Sequence, residues 1–119
     1  MAYVDGFVIP VSRRKVPAYL RIARRAGRIW REHGALEYRE AVGDDLRIKG
    51  VPPFGKPLRL KRGETAIFSW ILYRSRAHRD RVNKKVLSDP RMHSMMAGDD
   101  MPFDMKRMMY GGFKIAVDA

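Results

Sequence analysis

Apolar residues recur along this chain in two rhythms. From Tyr3 to Val11 the positions alternate, with Tyr3, Asp5, Phe7 and Ile9 on one row and Val4, Gly6 and Val8 on the other. That spacing belongs to a β-strand, whose successive side chains point to opposite faces. Pro10 and Ser12 close it. From about Pro17 to His33 the rhythm lengthens to three and four, and Val16, Tyr19, Leu20, Ala23, Ala26, Gly27 and Trp30 fall on one helical stripe. Pro17 suits the first turn and Gly34 a left-handed stop. Arg14, Arg21, Arg24, Arg25 and Arg28 occupy the opposite side. Alternation returns at Leu36–Val42, where Leu36, Tyr38, Glu40 and Val42 oppose Glu37, Arg39 and Ala41, a pattern suited to an edge strand.

A loop of roughly 20 residues, about 43–63, follows, carrying Pro52, Pro53, Gly55 and Pro57; loops of that length usually have a job. Leu58-Arg59-Leu60-Lys61 reads as a short extended piece within it. Thr65–Tyr73 is a strand, and Ser75 is the expected N-cap of a second helix that runs to about Ser88 with Val82 and Val86 inward. Asp89-Pro90 opens a short helix through about Ala97. Residues 99–104 read as loop and Lys106–Val117 as the last strand. The order is β-α-β-β-α-β. Right-handed crossovers then place both helices on one face of an antiparallel sheet, an α+β, ferredoxin-like fold.

The strand Thr65–Tyr73 carries the strongest constraint on assembly. One row holds Ala66, Phe68, Trp70 and Leu72, the other Ile67, Ser69, Ile71 and Tyr73, so both faces are oily. Two helices cover one face. The bare face is on the order of 400 Å² in plan, near or above what a lone subunit leaves in water. A second copy is the cheapest cover, and a homodimer pairing sheet to sheet as a dimeric α/β barrel is the expectation.

Composition narrows the function classes. With 119 residues the chain is expected to form a single domain, 1–119, and without cysteine it has no disulfide, thiolate nucleophile or cysteine-bound metal. The first residues lack the layout of a signal peptide, and no apolar run approaches the roughly 20 residues of a membrane span, which points to the cytoplasm and away from membranes. The net charge of +12 invites nucleic acid or another polyanion through Arg21, Arg24, Arg25 and Arg28. The plainer account is that the charge keeps a dimer soluble and steers small anions. The RNA-recognition motif shares this element order, but its aromatic signature is missing from Glu64 to Tyr73, so nucleic acid is not favoured.

The stretches Tyr3-Val4-Asp5-Gly6-Phe7, Trp30-Arg31-Glu32-His33-Gly34-Ala35-Leu36-Glu37-Tyr38, Phe68-Ser69-Trp70, Arg79-Asp80-Arg81-Val82-Asn83, Met101-Pro102-Phe103-Asp104 and Lys106 to Phe113 resemble the YbaA-like family, a domain of unknown function (1428) in the dimeric α/β-barrel superfamily. The resemblance spans almost the whole chain. It implies a ferredoxin-like fold that pairs sheet to sheet, and it carries no assigned active site.

Candidate chemistry is sparse. Asp5, flanked by Tyr3 and Phe7, is a candidate general base, or a carboxylate paired with Arg39 or Arg107 to fix the sheet. His33 and Glu37 flank the helix-to-strand turn as a candidate acid/base pair, His33 serving equally as a helix cap. Trp70, Arg107 and Tyr110 are candidate ligand-binding residues for a small anionic or aromatic metabolite between paired sheets, or else core packing and a surface ion pair. Asp99, Asp100 and Asp104 suit turns and caps better than a cation, the three histidines lack ligand spacing, and no metal site is expected. Met92, Met95, Met96, Met101, Met105, Met108 and Met109 crowd the last quarter, either as packing filler or as an adaptable wall over a ligand. Gly111-Gly112 lacks the setting of a phosphate loop, and no cofactor is expected. The expected function is small-molecule binding by a homodimer, with cofactor-independent catalysis as its enzymatic form, and polyanion association is the alternative.

Overall fold

The structure, a computed structural model, describes residues 1–97 and 101–119. Its strands are β1 (Tyr3–Ser12), β2 (Glu37–Val42), β3 (Glu64–Tyr73) and β4 (Met109–Lys114), and its helices α1 (Val16–Glu32), α2 (Gly55–Leu58), α3 (Arg76–Leu87) and α4 (Pro90–Met96). Short 3-10 turns at Arg13–Lys15 and Met105–Arg107 lead into α1 and β4. The strands form one antiparallel sheet in the order β2-β3-β1-β4. This is the ferredoxin-like arrangement, in which the two longest strands fill the centre.

Register places each apolar row as the alternation requires. Asp5 lies opposite Ile71 on one side and Gly112 on the other, and Gly6 lies opposite Trp70 and Gly111. The row Tyr3, Asp5, Ile9, Val11 and the row Thr65, Ile67, Ser69, Ile71, Tyr73 are all buried beneath the helices. Their neighbours Phe68, Met109 and Phe113 lie on the other face and are 47%, 47% and 59% exposed. The molecule measures 39 × 38 × 20 Å. Its thin dimension is that of a sheet with a single helical layer, given the ~10 Å that separate packed layers.

The core runs along the helix-side face in two parts. Beneath α3 and the end of α1, Tyr3, Ile29, Ile71, Tyr73, Val82 and Val86 pack together; beneath the first half of α1, Ile9, Val11, Tyr19, Ala23 and Ile67 do so. Each buried valine or isoleucine among them stabilises the fold by roughly 1.5–3 kcal/mol. Gly27 is buried on α1 because a Cβ there would stand 2.8 Å from the Tyr38 ring, so the absent side chain lets β2 tuck against the helix. The Ser75 hydroxyl accepts from the His78 N–H and the Asp89 carboxylate from the Arg91 N–H, so both expected N-caps form.

Some expectations are corrected. Leu58–Lys61 is not extended: α2 ends at Leu58, and Arg59 turns left-handed at φ 51°. The last strand is shorter than Lys106–Val117, because the Asp104 carboxylate caps the turn at Met105–Arg107 and delays pairing until Met109. Helix α1 also buries Ile29, outside the stripe read from the sequence. Asp99 and Asp100 lie outside the described residues.

Candidate functional site

Two polar clusters sit on the helix-covered side of the sheet. The first is built on Asp5, 1% exposed in the middle of β1. Arg79 reaches it from the first turn of α3, its Nη1 donating to Asp5 Oδ1 at 3.0 Å and to the Tyr110 hydroxyl at 2.8 Å. The guanidinium lies 5.0 Å over the Tyr3 ring, a cation–π contact. Its Nε is buried and makes no well-directed hydrogen bond, although Asp80 Oδ1 is 2.8 Å away. Burial raises the Asp5 carboxyl above its ordinary range, and the Arg79 charge pulls it back. Tyr110 stacks on Phe7 with centroids 4.7 Å apart. Beside this cluster the Trp30 indole donates to the Tyr73 hydroxyl, which donates to Asn83. The side chain that fixes Asp5 is therefore Arg79, not Arg39 or Arg107. The pair pins α3 to the sheet and closes over the carboxylate.

The second cluster is open to a cavity. Glu40 projects from β2 toward α1, its Oε2 accepting from the Tyr19 hydroxyl at 2.9 Å and its Oε1 from the Tyr38 hydroxyl at 2.8 Å. Burial raises its carboxyl above the ordinary range, against the pull of the Tyr38, Tyr19 and Ser69 hydroxyls. Burial, and then the adjacent carboxylate, hold both phenols protonated well above the usual tyrosine range. Next to Glu40 a cavity of about 460 Å³ runs between α1, the sheet and the methionine-rich segment. Phe7, Tyr19, Trp30, Tyr38 and Phe103 supply its rings and Met92, Met96, Met101, Met105 and Met108 its thioethers, with Ile9, Ile22, Ile71 and Leu87 adding aliphatic wall. Five of the seven methionines singled out from the sequence line this hollow. Among the described lining residues, Ser69, His93 and the Trp30 indole are the other polar side chains besides Glu40 and the two tyrosines.

The residues singled out from the sequence are not brought together. Trp70 lies on the open face, its indole donating to Glu37 Oε1 at 2.8 Å; that bond, with one from Arg39, holds Glu37 below the ordinary carboxylate range. His33 turns instead to Asp89, with Nε2 2.8 Å from Oδ2, tying the end of α1 to the cap of α4. His33 and Glu37 therefore serve separate contacts and form no acid/base pair. Arg107 makes a two-pronged ion pair with Glu64 at 2.7 and 2.9 Å and donates to the Arg59 carbonyl, which commits it to the turn before β4. Tyr110 faces the helices with Phe7, whereas Trp70 faces away from them. Among the described residues, Arg21, Arg24, Arg25 and Arg28 are exposed and enter no ion pair. Arg24, Arg28 and Arg31 border an outer groove of about 720 Å³ between α1 and β2, which Glu40 also lines.

Comparison with known proteins places this architecture. The family model described as "Protein of unknown function (DUF1428)" matches residues 2–105. The chain belongs to the DUF1428 family. It is 42% identical over 118 residues to the uncharacterized protein YbaA of Escherichia coli K12, covering 99% of both chains, and matches the Shigella flexneri protein of that name equally. Among solved structures, it is similar to an uncharacterized NIPSNAP domain protein from Burkholderia xenovorans, with TM-score 0.60, 14% identity, and coverage of 98% of this chain and 97% of that one. A NIPSNAP family protein of unknown function from Agrobacterium tumefaciens gives TM-score 0.58 at 15% identity, covering 96% and 87%. At these identities the structural likeness concerns the fold. Among the described residues of the DUF1428 chain, no helix is long and apolar enough to cross a membrane.

Sequence reasoning missed Glu40 and Arg79. A signal for Glu40 was present: it is the only carboxylate on the Leu36, Tyr38, Glu40, Val42 row, where an inward residue is expected to be apolar. Arg79 had none, being 74 positions from Asp5 and one of many basic residues on α3 and its flanks.

Proposed function

We propose that this DUF1428 protein is a homodimeric small-molecule-binding α/β barrel whose two sheets meet through their open faces while each subunit takes its ligand into the helix-side cavity. The observation that carries the ligand reading is the cavity itself: about 460 Å³ of mostly apolar space beside a carboxylate held by hydroxyls rather than by a cation. Such size and lining are those of small-molecule sites. The dimer reading draws on Phe68, Met109 and Phe113, which stand about half exposed on one flat face. The activity this site suits is proton transfer by a side-chain carboxylate, which needs no cofactor.

Calorimetric titration with a panel of neutral arenes tests the ligand reading. One molecule bound per chain is expected, with ~2.7 kcal/mol of added stability at ~100 times the dissociation constant. Failure of the entire panel overturns it. Sedimentation at micromolar concentration is expected to give a dimer. A second reading, polyanion association, draws support from the exposed Arg21, Arg24, Arg25 and Arg28 on α1. It requires RNA binding at ~150 mM salt tighter than the ordinary non-specific range.

A further inference from the structure

The occupancy of Glu40 narrows the class of ligand. An ionised carboxylate offers about four acceptor sites. Tyr19 donates to one oxygen, Tyr38 to the other, and the Ser69 hydroxyl also stabilises the charged form. All of these donors come from the protein side, from α1, β2 and β3. Acceptor capacity is left over beside the cavity, whose described lining is otherwise mostly rings, thioethers and aliphatic side chains.

The charges around the site decide what can fill that capacity. Arg24, Arg28, Arg31 and Glu32 from α1 border the outer groove, and His93 faces the cavity from α4. An anionic ligand would bring its charge against Glu40 in a low-dielectric space with no arginine or lysine among the described residues that line it. A cationic ligand would have to approach a chain of net charge +12 past the arginines of the groove. A neutral molecule with one hydrogen-bond donor meets neither penalty. Its rings would lie among Trp30, Tyr38 and Phe103, and its donor would reach the carboxylate.

We infer that the cavity selects a neutral, ring-bearing molecule with a single acidic hydroxyl, and that Glu40 accepts the hydrogen bond from that hydroxyl. This rests on the cavity reading given above, and the experiment separates the two. The protein is titrated calorimetrically at neutral pH with 2-naphthol, naphthalene, the (2-naphthyl)methylammonium ion and 2-naphthoate. A hydrogen bond to a charged acceptor predicts that 2-naphthol binds about tenfold or more tighter than naphthalene. Glu40→Gln is expected to remove most of that preference while leaving naphthalene binding intact. The wild-type protein supplies an independent check: the preference should fall as the pH is lowered and Glu40 takes up its proton, with naphthalene unaffected. Equal binding of 2-naphthol and naphthalene overturns this inference but keeps the cavity reading. Tighter binding of the ammonium ion or the carboxylate overturns the assignment of ligand class. Binding by none of the four overturns both.

Discussion

The two faces of the sheet hold the same kinds of aromatic residue and use them differently. On the helix-covered face, aromatic rings frame charged groups: Tyr3 and Tyr110 contact Arg79 beside Asp5, and Tyr19 and Tyr38 donate to Glu40. On the open face, Phe68, Phe113 and Leu72 accompany Val4 and Val8, and the main polar contact is the Trp70 indole on Glu37. The first face stores polar groups out of water, where each must be satisfied or becomes expensive. The second presents plain apolar area, which gains free energy from any matching surface. The contrast teaches that buried polar groups and bare apolar area lie on opposite sides of a sheet with one helical layer, and the proposed ligand site and the proposed dimer contact follow that division.

The largest expected effect comes from breaking the buried ion pair. Arg79→Met leaves Asp5 charged and unpartnered, and should cost about 4 kcal/mol in urea denaturation. Adding Asp5→Asn should recover much of it; no recovery would mean that Arg79 acts through packing on Tyr3 instead. The open face comes next. Phe68→Lys with Phe113→Lys should weaken the proposed dimer by about 3 kcal/mol per subunit, at about 1.5 kcal/mol for each aromatic, or roughly ten-thousandfold in the dissociation constant because both subunits carry the changes, without melting the subunit. An unchanged sedimentation profile would place the contact elsewhere. Gly27→Ala is smaller. The new methyl meets the Tyr38 ring and should cost about 1 kcal/mol net of the better helix propensity, while shifting the Tyr38 hydroxyl off Glu40 and weakening ligand binding.

The smallest effect is in the pH profile. Because burial raises the Glu40 carboxyl, the folded chain holds that proton more tightly than the unfolded chain does. Its contribution is full below the ordinary value of 4.5 and is lost as pH rises through the raised folded value. Glu40→Gln should therefore gain on wild type as the pH climbs from 4.5 toward neutrality, read as the difference of their denaturation midpoints. Glu64 runs the other way. The hydrogen bond from Arg107 depresses it, so its contribution is present above 4.5 and lost as pH falls through the lower folded value. A flat difference profile for Glu40→Gln would remove the carboxylate from the buried side.

The fold was legible because strand alternation is local and strict. Alternation sorts β1 and β3 into two rows each, though with both rows of β3 oily it left open which one the helices cover, and Ser75 and Asp89 mark their helices by capping chemistry that acts within a few residues. The long loop was less legible. Leu58–Lys61 has strand-like alternation, yet Arg107, 48 residues away, donates to the Arg59 carbonyl and helps hold the segment in a turn. The site was the least legible part. Asp5 could be picked out as a carboxylate among aromatics, but its partner lies 74 positions away, and the Tyr19 contact with Glu40 spans 21. Trp70 and Tyr110 looked alike as strand aromatics, and only the register of β4 on β1 puts them on opposite faces.

The most direct measurement is a crystal structure of the full chain grown with 2-naphthol. The account predicts the naphthol rings among Trp30, Tyr38 and Phe103 with the oxygen on Glu40, and two subunits meeting through Phe68 and Phe113. Naphthol stacked on Trp70 between two sheets, with the helix-side cavity vacant, would contradict it.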